Sequence, residues 1–254
     1  DQYDVFLIQA HGHRHWMIED ELRSDEDNDL IPNIDLRILR EFDPDQDWVL
    51  KPGDMLYLPP GIPHHGVAQD RCMTISVGFR APSHGELVTS VLDYLVDEEL
   101  EEQRYADPDL KTQEHPGEIA PQARHRVRDI LRRALQPSDE DLDRFFGRFI
   151  TDRRVDLMPL YPEPANLSPA DFQQELQEQQ SMERNPAARF AFIRTDEATF
   201  LYADGEEYGF TPGDTPAVAY LCDQRLYECA DVERFESERL LEVMTDLYNR
   251  GCIF

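Results

Sequence analysis

Positive charge is what this sequence has least of. Its 254 residues include 25 lysines and arginines against 53 aspartates and glutamates, for a formal net charge of −28. Only Lys51 and Lys111 are lysines. Binding to a phosphate backbone depends on clustered cations that release counterions, and anionic membrane surfaces attract cations in the same way. The composition therefore excludes nucleic acid and anionic lipid as bulk electrostatic partners.

Long apolar runs and paired cysteine motifs are also missing. No stretch approaches the roughly 18 apolar residues of a membrane span, and the first residues do not form a basic leader. We therefore expect a soluble cytoplasmic protein, with 40% hydrophobic residues to build a core. The four cysteines lack C-x-x-C spacing, so a zinc ribbon or redox dithiol is not expected. They are interpreted as buried thiols: Cys72, Cys222, Cys229 and Cys252.

The first eighty residues have the short apolar runs and turn residues of an all-β region. The first two runs, on either side of the turn at 10–12, are predicted to form a hairpin. The number of short strands favours a sandwich or barrel. The predicted strands are 4–9, 13–18, 34–39, 48–50, 54–58 and 71–79.

From 83 to 152 the apolar residues recur three and four positions apart, which predicts amphipathic helices. Ser138 and Asp141 match a capping box that would begin one of these helices. The proline-rich stretch 161–169 is predicted to be a linker.

The last ninety residues mix strands and helices in the manner of a winged helix. Asp204-Gly205 predicts a tight hairpin turn, and helices are expected at 217–222 and 237–249, with Gly251 ending the second. From 166 to 254 there are seven arginines and 18 acidic residues, a net charge of −11. A role in reading DNA is therefore disfavoured.

The most specific motif is G-x5-P-x-G-x2-H, from Gly53 to His64. It matches a conserved motif of the cupin superfamily. Physically, a strand delivers the chain to a rigid proline and glycine turn that presents an imidazole able to bind a divalent metal. The alternative is a proline-rich turn with an incidental histidine. Ala68 stands where many cupins have an asparagine.

A second segment extends the resemblance. Residues 1–9 and Arg14-His15-Trp16 resemble the chain just after the H-x-D motif of JmjC-type cupins, with Asp1 as the aspartate. Residues 1–82, including the run 76–82, resemble the bacterial ribosomal oxygenase family. This resemblance implies an α+β chain with the C-terminal part of a double-stranded β-helix (1–82), a helical dimerisation region (83–160) and a winged-helix-like module (161–254). It also implies that an N-terminal part precedes Asp1.

The resemblance further implies the chemistry. Asp1 and His64 would bind ferrous iron, Fe(2+), together with a histidine two residues before Asp1. Arg14 would bind the distal carboxylate of the cosubstrate 2-oxoglutarate, and no catalytic residue is expected besides the metal ligands. Thr74 and Ser76 share a face of the last strand and either bind the cosubstrate or are satisfied barrel hydroxyls. The implied reaction is hydroxylation of an arginine in a basic ribosomal protein by a homodimer.

Several alternatives stay open at this stage. His11, His13 and His15 could form a separate metal site, but strand alternation would place Arg14 and Trp16 on one face and His13 and His15 on the other. His65 is expected to point away from His64. Five arginines between 124 and 133 form either a solvated helix face or a docking surface. The rival functions are a non-catalytic cupin, a related histidyl hydroxylase and a transcriptional regulator.

Overall fold

The computed structural model describes residues 2–23, 29–34, 37–98, 104–153 and 160–254. The chain divides into two compact units, Asp1–Glu86 and Leu87–Phe254. Within the described ranges, no helix combines the length and apolar character that crossing a bilayer requires. The boundaries drawn from the sequence at 82/83 and 160/161 stay predictions.

The first unit consists of two three-stranded antiparallel sheets. One sheet has the strand order β4-β1-β6 and the other β3-β2-β5, so the chain crosses between the two sheets four times, as in a jelly roll. The strands are β1 (Asp4–His11), β2 (Arg14–Ile18), β3 (Gln46–Leu50), β4 (Met55–Leu58), β5 (His64–Ala68) and β6 (Met73–Phe79).

Three details of this unit differ from the prediction. The hairpin of the first two strands is wrong, because β1 is hydrogen-bonded on both edges, to β4 and β6, and β2 lies in the other sheet. The strand at 34–39 is replaced by a single bridge between Leu30 and Leu39, with 35 and 36 outside the described residues. Strand β5 was not predicted, because its His-His-Gly start lacks the apolar run by which strands are recognised.

The core of this unit lies between the two sheets. Val5, Leu7 and Leu58 project from one sheet and pack against Trp16 and neighbouring side chains of the other. Alternation along β2 gives Trp16 7% exposure and places it opposite Gly66 of β5, whose missing side chain leaves room for the indole. The same alternation sends Arg14 to the core side of the sheet and His15 to the other side, as predicted.

The outward face of the β4-β1-β6 sheet is apolar as well. Phe6 stacks on Tyr57 with ring centroids 4.9 Å apart and meets the edge of Phe79 at 5.7 Å. Ile75 and Val77 continue this surface and are exposed. The sheet therefore lacks the polar outer face typical of an antiparallel sheet with one solvated side.

Among the described residues, the second unit contains six α-helices, a seventh that begins three residues before it, and five short strands. Sheets form in the orders β10-β9-β8 and β11-β7. The helices are α1 (His84–Glu98), α2 (Pro121–Ala134), α3 (Asp139–Thr151), α4 (Pro169–Gln179), α5 (Thr215–Asp223), α6 (Cys229–Glu233) and α7 (Glu238–Asn249). The strands are β7 (Ser181–Glu183), β8 (Phe190–Arg194), β9 (Thr199–Ala203), β10 (Glu206–Phe210) and β11 (Leu226–Glu228).

Local signals explain where several of these elements begin and end. The predicted capping box at Ser138 is present, with the hydroxyl accepting from the backbone N–H of Asp141 and the Asp141 carboxylate accepting in return. The same signature at Ser168 begins α4, a helix that was not predicted because it directly follows the proline-rich stretch. Gly251, with a φ of +74°, ends the last helix as predicted.

The hairpin turn at Asp204-Gly205 is confirmed. Both residues have positive φ, +49° and +83°, which is the geometry of a tight two-residue turn. Helix α3 packs on the sheet that this hairpin belongs to, with Gly147 against the ring of the fully buried Tyr202. A bidentate pair between Arg144 and Glu207 joins the same two elements.

Candidate functional site

His64 stands where the motif predicts, at the start of β5. Strand β4 ends at Leu58, and Gly61, with a φ of +82°, turns the chain while its carbonyl accepts from the backbone N–H of Arg23 at 3.0 Å. His64 then pairs with Ile18 of β2. Its half-buried ring lies beside Trp16, with ring centroids 6.1 Å apart. The proline and glycine turn therefore delivers the imidazole to the core side of the sheet.

The chemical state of His64 suits a metal ligand. Burial lowers the pKa of this imidazole, and the carbonyl of Ile62, 3.0 Å from Nδ1, partly offsets the effect. A proton on Nδ1 that is donated to this carbonyl leaves the lone pair on Nε2. Backbone carbonyls often fix metal-binding histidines in this way. The ring thus fits coordination of a divalent metal through Nε2.

Arg14 opens β2 on the core side of the sheet, where it lies over Trp16 with Cζ 5.7 Å from the ring centroid. Its terminal nitrogens meet weak acceptors only, the carbonyl of Gly66 at 3.4 Å and the sulfur of Cys72 at 3.6 Å. The buried Nε of Arg14 has no hydrogen-bond partner, and no ion pair to Arg14 occurs within the described residues. A half-buried guanidinium in this state fits an incoming carboxylate, as 2-oxoglutarate would provide.

Thr74 and Ser76 lie on β6 with their side chains on the same face. The Thr74 hydroxyl donates to Oε1 of Gln9 at 2.8 Å, so its proton already has a buried acceptor. This contact supports the alternative in which Thr74 is a satisfied barrel hydroxyl. Ser76 pairs with Leu7 and is exposed. Of the two, Ser76 is therefore the better candidate for contact with a cosubstrate.

Asp1 lies outside the described residues, so its position relative to His64 is not part of the structure. Within the described residues, no group of three or more histidine, cysteine, aspartate or glutamate side chains could hold a metal ion. His64 is thus the one proposed ligand whose surroundings can be described.

The remaining histidines of β2 and β5 point elsewhere. His13 and His15 each pair with a separate carboxylate at 2.7 Å, Asp70 and Asp47 respectively. The structure therefore does not bring these histidines together as a metal site. His65 lies opposite Met17 rather than Ile18, so it projects to the other face from His64, as expected.

The basic helix α2 has local acidic partners. Arg126 binds Asp107 at 2.6 Å and also contacts Asp109. Arg132 lies 3.8 Å from Asp129 on the same helix. These contacts support the interpretation as a solvated helix face.

Two residues near Arg14 were not identified from the sequence. Cys72 was interpreted only as a buried thiol, yet its sulfur contacts the guanidinium. Gln9 was interpreted as the end of a strand, yet it is completely buried and bonds to Thr74. A polar residue at the inward position of an apolar strand was the available signal for Gln9.

Comparison with known proteins finds similar families for both ends of the chain. Residues 1–87 match the family described as JmjC domain, and residues 131–254 match the family described as ROXA-like winged helix. The chain is 36% identical over 208 residues to a ribosomal protein uL16 3-hydroxylase of Escherichia coli K12, covering 82% of this chain and 53% of that protein. The chain therefore spans about half the length of this relative.

Solved structures give the same result. The crystal structure of E. coli YcfD matches with a TM-score of 0.70 at 32% identity, over 100% of this chain and 66% of the other. The structure of YcfD, described as a ribosomal oxygenase in complex with cobalt and 2-oxoglutarate, matches with a TM-score of 0.69 at 31% identity, over 100% and 64%. The predicted order of a cupin barrel portion followed by a winged helix is confirmed.

Proposed function

Because residues 1–87 belong to the JmjC domain family and residues 131–254 to the ROXA-like winged-helix family, we propose that this protein is an Fe(II)- and 2-oxoglutarate-dependent oxygenase. Its substrate is a ribosomal protein, and the hydroxylated side chain is an arginine. The resemblance to a uL16 hydroxylase and to an oxygenase solved with 2-oxoglutarate supports this proposal.

The observation that carries the proposal is the state of Arg14. A cation on the core side of a sheet, without a carboxylate partner in the described chain, is costly unless an anion joins it. The neighbouring strand in the sheet, β5, holds His64, whose Nε2 is suited to binding a metal. An anion site and a metal ligand on adjacent strands are what a chelating 2-oxo acid needs.

Within this proposal Asp1 and His64 hold Fe(II), together with a histidine upstream of the given chain. When bound, the metal would supply activation of dioxygen, coupled to decarboxylation of 2-oxoglutarate to succinate and carbon dioxide, with one oxygen atom entering succinate and the other the hydroxyl on the substrate carbon. Arg14 binds the distal carboxylate and so fixes the direction in which the cosubstrate lies. Ser76, or Thr74 after release from Gln9, donates a further hydrogen bond.

The choice of substrate rests on charge. Ribosomal proteins are cationic, and this chain has a net charge of −28. Complementary charge speeds encounter and orients a partner more than it raises affinity. The association rate should therefore fall as salt is added. The protein acts in the cytoplasm, where its substrate is synthesised, and the acidic winged helix binds no duplex DNA.

The helical region serves as a dimer interface between two copies of the chain. Helix α1 exposes Val88, Leu92 and Val96, which are spaced four residues apart and so lie along one side. No residue of α2 is buried, although it carries Val127 and other apolar side chains. Light scattering should report a dimer that Leu92→Glu converts to a monomer, whereas Leu226→Glu, at another exposed apolar position, should leave it intact.

The test of the activity is turnover. The protein is incubated with Fe(II), 2-oxoglutarate, labelled dioxygen and ribosomal proteins from a deletion strain, and the products are analysed by mass spectrometry. The proposal expects succinate and a labelled hydroxyl on an arginine. A labelled hydroxyl on histidine would instead identify a histidyl hydroxylase. Metal binding without succinate release would identify a non-catalytic cupin.

A further inference from the structure

Gln9 is a buried amide whose hydrogen bonds hold the chain just before Arg14. Its side chain has 0% exposure. Nε2 donates to the carbonyls of His11 at 2.7 Å and Gly12 at 3.1 Å, while Oε1 accepts from Thr74. Both amide protons and one lone pair are thus in use. Only His13 lies between this fixed turn and Arg14.

The turn has almost no room to shift. Gly12 has a φ of +61°, and a Cβ there would lie 2.4 Å from the backbone oxygen of Arg71. On the other side of the turn, the backbone N–H of His13 donates to the carboxylate of Asp70 at 2.7 Å. The chain therefore enters β2 in contact with the segment that leads into β6.

The guanidinium of Arg14 reaches the same segment. Its Nη2 contacts the sulfur of Cys72, which follows Asp70 and Arg71 in the chain. The turn held by Gln9 and the sulfur that Arg14 contacts are therefore parts of one packed assembly. A change in the position of the turn would move the start of β2 relative to Cys72.

We infer that Gln9 is a positioning residue for Arg14 and thereby sets the affinity for the distal carboxylate of 2-oxoglutarate. The inference rests on the proposed function. Its physical basis is that a charge-assisted bidentate contact needs placement within about 0.5 Å, which depends on hydrogen bonds behind the binding residue. Without the amide, two carbonyls of the turn would lose their donors and the turn could relax.

The experiment compares two buried amides that make equivalent bonds. In the second unit, Asn185 is 1% exposed and its Nδ2 donates to the carbonyls of Leu160 and Gly251, both at 3.1 Å. Gln9→Met and Asn185→Leu each replace the amide with an apolar group of similar size. Calorimetric titration of 2-oxoglutarate in the presence of Mn(II), which does not support turnover, gives Kd for each variant, and urea unfolding gives stability.

Both variants should lose stability to a similar degree, because each gives up two donors to backbone carbonyls. Gln9→Met should raise Kd about tenfold or more, since this factor corresponds to the loss of one well-placed hydrogen bond. Asn185→Leu should leave Kd within about twofold, inside the usual additivity error for distant sites. If Gln9→Met does not fold, Asp70→Ala, at an exposed position holding the same turn, should also raise Kd.

The outcomes separate the inference from the proposed function. If the unmodified protein binds 2-oxoglutarate and Gln9→Met binds it equally well, the positioning role is overturned and the proposed function stands. Equal weakening of 2-oxoglutarate binding by Gln9→Met and Asn185→Leu would also overturn it, because loss of stability would then account for the rise in Kd. If the unmodified protein does not bind 2-oxoglutarate with Mn(II), the proposed function fails and the inference fails with it.

Discussion

Replacing Arg14 with methionine should greatly weaken cosubstrate binding without lowering the folding stability of the protein. The side chain keeps its apolar stem over Trp16 but loses a guanidinium that has only weak acceptors at 3.4 and 3.6 Å. Two charge-assisted hydrogen bonds to a carboxylate are worth about 1.5 kcal/mol each at the low end. Their loss should raise the Kd for 2-oxoglutarate about 100-fold.

The expected effect on stability has the opposite sign from that of most arginine substitutions. Removing a half-buried cation without an ion-pair partner in the described chain should leave the free energy of unfolding unchanged or raise it by up to about 1 kcal/mol. Arg144 is the matched control, because it makes a bidentate pair with Glu207, whose side chain is only 9% exposed. Arg144→Met leaves that carboxylate with only the more distant Arg148, whose Nε is 4.0 Å away, and should cost about 1–3 kcal/mol, below the value for a fully buried pair because Arg144 is 37% exposed.

Urea unfolding and calorimetric titration with Mn(II) measure both quantities on the same samples. Arg14→Met should lose affinity for 2-oxoglutarate and keep its stability. Arg144→Met should keep its affinity and lose stability. An Arg14→Met variant that lost as much stability as Arg144→Met while retaining its affinity for 2-oxoglutarate would contradict this prediction. Arg14 would then be a structural residue of the barrel.

The remaining predictions concern the second unit. Gly147→Ala would place a Cβ 2.4 Å from the ring of Tyr202 and should cost about 1–3 kcal/mol, measured by urea unfolding; an unchanged midpoint would contradict this packing. The Ser138 hydroxyl and N–H lower the pKa of Asp141 in the folded protein. The stability that this carboxylate contributes is therefore fully present above its pKa in the unfolded chain and is lost as the pH falls through its lower pKa in the folded protein. The stability difference between the native protein and Asp141→Ala should therefore be larger at pH 7 than near pH 2–3. Burial raises the pKa of Cys252 to about 12, so iodoacetamide at pH 8 should modify this thiol only after unfolding, as peptide mapping would reveal.

The parts of the structure that depend on local chemistry could be predicted from the sequence. The capping box at Ser138, the Asp204-Gly205 turn and the terminal Gly251 are found where expected, because each depends on residues a few positions apart. The proline and glycine motif before His64 was also found in this way, because it depends on neighbouring residues. In all these cases the residue type alone restricts the backbone.

Pairing between strands could not be predicted in the same way. A turn at Gly12 is compatible with a hairpin and with a crossing from one sheet to the other, and only the occupation of both edges of β1 by β4 and β6 decides between them. Strand β5 was missed because its inward positions, His64 and Gly66, are a polar residue and a glycine. Gly66 leaves room for the Trp16 ring, and neither residue is of a type enriched in strands.

The same distinction between local patterns and long-range contacts applies to the candidate site. Arg14 and His64 were found because they lie in recognisable segments, and the structure adds their surroundings. The contacts of Arg14 with Cys72 and of Gln9 with Thr74 join residues 58 and 65 positions apart in the chain. No local pattern reports such contacts.

The most direct test of the central claim is whether the purified protein couples 2-oxoglutarate to hydroxylation of a ribosomal protein. The measurement is mass spectrometry of ribosomal proteins from a deletion strain after incubation with the protein, Fe(II), 2-oxoglutarate and labelled dioxygen. We expect one labelled oxygen atom on an arginine side chain, with an equal amount of succinate formed and both products absent with His64→Ala. Labelled hydroxylation that persists in His64→Ala, or no hydroxylation of any ribosomal protein by the native protein, would contradict the central claim.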